Sequence, residues 1–313
     1  MSIEFRSYQA GDEEAQAAIW NQVATCSPGF KPVTIEEVRR RTRALNFTPD
    51  LNWYAVANGT VVGYCIMQPN GRVGYPWCLR GEEIADRLLD TVLQQCKRRG
   101  LMRAFTAYRA DWTTQLQYFE KKGFTKVREM VNFAHGILDL PTMIVRRGLN
   151  ITSLQPSDLP AVNDLAPGVL RIPLDRLENW FFHNPYFPPE SLFVLRRSNA
   201  SLAGVGILID NQSYADPTKI DPQAPCFRLG AFGTEECSLK RVNGMFSFLV
   251  RDDAESTPLA LDLLSYVTAR LEDGSIDTIA AQVPSDARHL LSFYQRYFRK
   301  QGSFPVYERS LIS

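Results

Sequence analysis

Apolar and polar residues along the chain follow two alternating periods. Ile3–Tyr8 has the period of a short strand, and Asp12 stands as an N-cap before apolar positions at helical spacing, Ala15, Ala18, Ile19 and Val23. Thr34 and Glu37 have capping-box spacing and start a second helix. Trp53–Ala57 and Thr60–Met67 are two apolar strands joined by Asn58-Gly59, the strongest short hairpin signal. A strand at Arg72–Trp77 then leads into a helix over Glu82–Arg99, whose apolar positions are Ile84, Leu88, Leu89, Val92 and Leu93. A strand at Ala104–Tyr108, a helix over Thr113–Lys122 ending at Gly123, and two closing strands over residues 124–140 complete the series.

The series then restarts. Strands are expected at Ile151–Leu154, Leu192–Leu195, Leu202–Ile209, Phe246–Val250 and Ile276–Gln282. Helices are expected after Ser157, over Pro258–Leu271 and over Asp286–Tyr297. Individual residues repeat as well as elements. Ile84–Leu89 aligns with Leu259–Leu264, Gly100–Ala107 with Gly274–Ala281, and Tyr118–Lys121 with Phe293–Arg296. The pattern predicts an α+β protein of α/β/α layers built as two tandem domains, each a mixed, mostly antiparallel sheet flanked by helices. The expected domains are residues 1–140 and 149–313, with a linker at 141–148. Residues 211–225, polar and Pro-rich, read as a surface loop that only the second copy has.

Composition bounds the function. The chain of 313 residues is 45% hydrophobic and 22% charged, ordinary for a globular protein of two domains. Its net charge is +1, and Lys and Arg exceed Asp and Glu only mildly in the first half, 20 against 15, with the reverse, 15 against 19, in the second. That balance suits a phosphate-bearing ligand on the first half and excludes a nucleic-acid footprint. The six cysteines form no CxxC pair and no zinc-spaced cluster with histidine, so no metal is expected. They read as free thiols of a reducing compartment. The N-terminus lacks the pattern of a signal peptide and no apolar run approaches ~20 residues, so the expected location is cytoplasmic, with no membrane partner.

The chemistry centres on residues 72–90. A strand that ends in a Gly-bearing turn and feeds a helix gathers bare N–H groups and the positive helix end at one point, a geometry that binds pyrophosphate. Here the turn holds Arg80 and Gly81. With the element order around it, this segment resembles the GNAT superfamily of N-acyltransferases over nearly the whole chain, at about 1–140 and again at about 149–313. Three marks carry the resemblance. Arg80-Gly81-Glu82-Glu83-Ile84-Ala85 matches in part the family's acyl-coenzyme A loop, R/Q-x-x-G-x-G/A. A small–large–Leu-Leu helix start follows it. Phe119-Glu120-Lys121-Lys122-Gly123-Phe124 matches the family's helix end, an aromatic followed by E-K-x-G-F.

The resemblance implies an acyl-CoA-dependent N-acyltransferase, with acetyl-CoA as co-substrate and no metal, acting on a small-molecule or peptide amine by direct transfer. Coenzyme contacts fall on Trp77, Cys78, Arg80, Gly81, Glu82, Ile84 and Ala85. The family's general acid, a tyrosine on the last helix, falls on Tyr294 in the second copy and on Phe119 in the first, where there is no proton to give. Tyr118, next to Phe119, points elsewhere on a helix. Glu83 stands where the family has a central Gly, and the second copy's loop, Glu255-Ser256-Thr257-Pro258-Leu259-Ala260, lacks both the Arg and the Gly. No general base is assigned. His135, His183, His289, Asp210, Glu235 and Glu236 read as structural or solvated. Trp53, Tyr64, Trp77 and Trp112 favour a partly apolar acceptor, and the expected state is monomer or homodimer. The damaged loops and Phe119 also suit an alternative, a catalytically degenerate protein of this fold that serves as a coenzyme A sensor or an interaction module.

Overall fold

Asn58 and Gly59 both adopt positive φ, 50° and 78°, and close a two-residue hairpin between β2 (Asn52–Ala57) and β3 (Thr60–Ile66). In this computed structural model the described residues are 3–43, 47–136, 150–165, 169–170, 174–183, 189–210, 244–253, 255–271 and 278–312. The expected linker at 141–148, the loop at 211–225, and Glu235 and Glu236 lie outside them. The chain divides into two compact units, Met1–Val127 with Phe304–Ser313, and Arg128–Ser303.

In the first unit β1 (Ile3–Ser7), β2, β3 and β4 (Trp77–Cys78) form an antiparallel sheet in that order. The helices α1 (Asp12–Val23) and α2 (Ile35–Thr42) follow β1, while α3 (Glu82–Arg98), β5 (Arg103–Ala107) and α4 (Thr113–Lys121) follow β4. The expected capping box forms, with Thr34 and Glu37 bonded reciprocally. Helix α3 buries Ile84, Ala85, Leu88, Leu89, Val92, Leu93 and Cys96 on one face, as its period predicts. The E-K-x-G-F end of α4 is a Schellman cap. Gly123 takes φ 78°, its N–H bonds to Glu120 O, the Phe124 N–H bonds to Phe119 O, and the Phe124 and Phe119 rings meet at 5.0 Å.

Two expectations fail here. Residues 124–136 hold one long strand, β6 (Thr125–Gly136), instead of the start of two. The strand that pairs with β5 is the chain's last, β12 (Arg299–Ser310), through Val306–Ser310. Local periodicity carries no information about a partner 200 residues away. Asp12 is also not the cap of α1. Gly11, at φ 103°, is the N-cap, and Asp12 is the first helical residue, paired in two bonds with Arg6.

The buried face of α1 is Asp12, Glu13, Gln16, Ala17 and Ile19, more polar than the period suggested. The polar groups are satisfied: the Tyr8 hydroxyl donates to Glu13 at 2.6 Å, the Gly11 N–H at 2.8 Å, and the Tyr54 hydroxyl donates to Gln16 at 2.6 Å. Burial pushes the Glu13 carboxyl up, but the bonds from Tyr8, Gly11 and Thr42 outweigh it and hold the group below the usual carboxylate range. A depressed folded value gives stability that is present above the unfolded value, about 4.3, and lost as pH falls through the folded one. Glu13→Gln should therefore reduce the difference in urea midpoint between pH 6 and pH 3. An unchanged difference would count against this role.

The second unit repeats the plan. β7 (Asn150–Ser153), β8 (Leu192–Arg196), β9 (Leu202–Ile209) and β10 (Gly244–Val250) are antiparallel neighbours. β11 (Thr278–Pro284) runs parallel to β10 and antiparallel to residues 130–136 of β6. The helices are α5 (Leu159–Leu165), α6 (Leu174–Phe182), α7 (Ser256–Leu271) and α8 (Arg288–Tyr297). In each unit, then, the closing strand is the segment that follows the other unit's last helix.

Candidate active site

Each unit contains a fork, a place where two parallel strands pair briefly and then separate. In the first, the Val73 N–H bonds to Phe105 O at 2.8 Å and the Phe105 N–H to Gly71 O at 3.0 Å, with Arg72 opposite Phe105. Past this point the chain bends toward β3, where Trp77 and Cys78 pair with Tyr64 and Gly63. The Tyr75 N–H therefore meets no strand. It donates to the Tyr108 hydroxyl at 2.6 Å. In the second unit, among the described residues, β10 and β11 pair only at Gly244–Ile279 and Met245–Ala280, and the remainder of β10 stays with β9.

The expected coenzyme residues split into two groups. Arg80, Gly81, Glu82 and Glu83 are exposed at the start of α3, and Gly81 caps it at φ 58° with nothing near an added Cβ. Glu83 thus faces solvent. Ile84 and Ala85 point into the core, so only their backbone is available to a ligand. Trp77 is 7% exposed and packs edge-on against Trp20 and Tyr75 at 5.0 and 4.8 Å. The Cys78 thiol is pushed up to about 12 by burial, which makes it an unreactive lining group. The first turn of α3 carries Glu82 and Glu83, so Arg80 and the Gly81 backbone are the anion-friendly parts of this loop.

Tyr294 is 1% exposed, ringed by Phe133, Phe248, Phe293 and Phe298, with its hydroxyl directed to Phe246 O at 3.5 Å. Burial raises its pKa and keeps it protonated, against the pull of hydrogen bonds at Ser247 and Phe248. Its hydroxyl thus lies at the root of the second fork. Phe119, its counterpart, is fully buried. Tyr118 turns toward α3, where its hydroxyl bonds to Asp86 at 3.1 Å.

The mouth of the second fork is a hollow of about 480 Å³, lined by Arg251, Asp252, Asp286 and His289 together with Asp164 and Leu165. His289 Nε2 lies 3.2 Å from Val250 O and its Nδ1 3.4 Å from Asp252. Ahead of α7 stand Asp252, Asp253 and Glu255, the last two paired with Arg197. Of the remaining candidates, Asp210 pairs with Arg270 and His135 packs on Phe298. Among the expected acceptor aromatics, Tyr64 is buried and Trp53 is tied to Asp50 O at the start of β2, so neither opens on the fork. Trp112 does border it, half-buried and stacked at 5.3 Å on Tyr108. Among the described residues no group of three or more His, Cys, Asp or Glu could hold a metal, and no helix is long and apolar enough to cross a membrane.

Sequence reading missed Tyr108, Tyr75 and Arg72. Tyr108 ends the expected strand Ala104–Tyr108 and sits one residue past the observed β5, and periodicity gives no sign of which distant backbone group it meets. Arg72 is half-buried beside it, and its guanidinium donates to Ala107 O at 2.8 Å. Desolvation lowers its pKa.

No protein-family model and no curated protein matches the chain. Solved structures do. A GCN5-related N-acetyltransferase from Sphaerobacter thermophilus is 16% identical and superposes with a TM-score of 0.64, over 99% of this chain and 96% of that one. A GCN5-related glucosamine N-acetyltransferase region of a fungal multi-domain β-N-acetylglucosaminidase is 14% identical with a TM-score of 0.64, over 98% of this chain and 38% of that one. A tandem GNAT protein from the clavulanic acid biosynthesis pathway is 10% identical with a TM-score of 0.55, over 100% and 99%. The fold is that of the GCN5-related N-acetyltransferases. It occurs twice in tandem along the chain.

Proposed function

We propose that this protein is an acyl-CoA-dependent N-acyltransferase, with acetyl-CoA as donor and a small-molecule or peptide amine as acceptor. The observation that carries this reading is the first fork. Beside a glycine-capped helix start, it offers a backbone N–H at Tyr75 that no strand uses. Bound there, the coenzyme would supply a thioester carbon open to attack by an amine. The residues proposed to hold it are the 77–85 segment: Arg80 against phosphate, the Gly81 and Glu82 backbone at the helix end, the backbone of Ile84 and Ala85, and Trp77 with Cys78 as the strand wall. In the second unit Tyr294 is the proposed proton donor. Its buried, protonated hydroxyl at the fork root supports that role.

Trp112 at the rim supports an acceptor with an apolar part. The buried free thiols Cys65 and Cys96 support a reducing, cytoplasmic setting. One observation favours a second reading for the second unit, a copy that no longer takes coenzyme. Its helix start is preceded by Asp252, Asp253 and Glu255, and Pro258 removes an N–H from the first turn.

Titration calorimetry with acetyl-CoA tests the assignment. Arg80→Ala should weaken binding about tenfold, the equivalent of about 1.4 kcal/mol. If the native protein binds nothing at high micromolar acetyl-CoA, the transferase reading fails. If binding is intact in Arg80→Ala, the coenzyme does not sit at this loop.

A further inference from the structure

The two forks align residue by residue. Arg72 opposite Phe105 corresponds to Gly244 opposite Ile279, so Tyr75 corresponds to Ser247 and Tyr108 to Gln282. The helices α4 and α8 begin at Thr113 and Arg288, so Phe119 corresponds to Tyr294, the seventh residue of each. One copy therefore holds the pair Tyr108 and Phe119, the other Gln282 and Tyr294. The tyrosine stands at the strand end in one copy and on the helix in the other, and each hydroxyl reaches the corresponding stretch of its own fork. Tyr108 brings its hydroxyl to the Tyr75 N–H from the end of β5, and Tyr294 brings its own to the Phe246–Phe248 stretch from α8.

We infer that Tyr108 is the proton donor of the first unit, a catalytic hydroxyl supplied from the strand in place of the helix. The inference rests on the acyl-transfer reading above. Three observations carry it. The Tyr108 oxygen accepts the Tyr75 N–H, so it stands where a thioester oxygen would accept that bond. Its own proton has no acceptor among the described residues, so it is available to a ligand. Its ring is clamped between Trp112 at 5.3 Å and Phe119 at 6.1 Å, both stacked, which fixes the position of the hydroxyl oxygen. Gly74 adds clearance, since a Cβ there would lie 3.9 Å from the Tyr108 oxygen and 3.1 Å from Ile66 O. Burial pushes the phenol up to about 12, against the Tyr75 N–H and the Arg72 charge, so the proton is present at neutral pH.

The step balances. The amine nitrogen bonds to the thioester carbon, the C–S bond breaks, and the sulfur takes the electron pair and the Tyr108 proton. Tyr108 regains a proton from the surplus N–H of the amine through water. In the resting protein Tyr108 holds the Tyr75 N–H in line. With a thioester bound, that N–H passes to the thioester oxygen and the hydroxyl turns to sulfur.

The test uses the full chain, acetyl-CoA as donor and hydroxylamine as probe acceptor. Tyr108→Phe should change the dissociation constant for acetyl-CoA by less than about threefold and slow thiol release about a hundredfold. Independently of activity, hydrogen exchange of the Tyr75 amide should accelerate in Tyr108→Phe without coenzyme and slow again when coenzyme is added. Moving the hydroxyl back to the helix, as Tyr108→Phe with Phe119→Tyr, should recover part of the rate. If Tyr108→Phe releases thiol at the native rate while Tyr294→Phe does not, the second fork is the active one and the inference is wrong. Loss of coenzyme binding in Tyr108→Phe would also overturn it, because Tyr108 would then be a wall of the site and not its acid. If the native protein neither binds nor turns over acetyl-CoA, the acyl-transfer reading itself fails.

Discussion

Phe119→Ala should lower the stability of the first unit by about 3–5 kcal/mol, among the larger single-site losses in the chain. Phe119 is fully buried and its ring meets Tyr75, Tyr108, Tyr118 and Phe124 at 5.0 to 6.5 Å. Truncation removes the apolar contact that accompanies the Schellman cap and one jaw of the clamp on Tyr108. None of these neighbours is free to fill the gap: Tyr118 is tied to Asp86, Tyr108 to Tyr75, and Phe124 by its own N–H to Phe119 O. Urea unfolding followed by tryptophan fluorescence should show a lower midpoint with an unchanged slope. Trp77 and Trp112 lie close enough to report it. A loss under about 1 kcal/mol would mean that the cluster repacks around the gap.

Gly206→Ala should destabilise the second unit by about 2 kcal/mol, although it adds one methyl group to a strand. Gly206 lies on β9 opposite Phe193 of β8 and Phe248 of β10. A Cβ at this position would stand 2.4 Å from Phe193 Cζ and 2.5 Å from Cε2. Phe193 is 2% exposed and its ring lies 5.0 Å from Tyr266, so it has no space to withdraw into. The effect is steric, so it should disappear when the ring is removed. Phe193→Ala alone should cost about 3–5 kcal/mol, and the double variant less than the two losses added. Strict additivity would show that the ring and the glycine do not constrain each other.

Elements whose signal is local were legible. The Asn58-Gly59 hairpin, the Thr34–Glu37 box, the inner face of α3 and the Gly123 helix stop each depend on residues within about one turn of each other. Helix α1 was harder to read. Its inner face buries Asp12, Glu13 and Gln16, and those groups are tolerated only because Arg6, Tyr8 and Tyr54 arrive from strands to satisfy them. The closing strand of the first unit was not legible at all, since its pairing joins residues 103–107 to 306–310.

Of the candidate site, the exposed turn at Arg80 and Gly81 was readable because a strand, a glycine and a helix start are consecutive in the chain. Tyr294 was readable as the family's position on the last helix. Tyr108 was not, because its importance comes from meeting the N–H of Tyr75, in the segment just before β4 and more than 30 residues earlier. The internal repeat, the layered α+β plan and the glycine-bearing helix start were already written in the order of residues, since periodicity and turn chemistry act over a few neighbours. Only the folded chain showed which tyrosine reaches each fork and which strand closes each sheet. Both depend on distances between segments far apart in sequence, and those are set by packing.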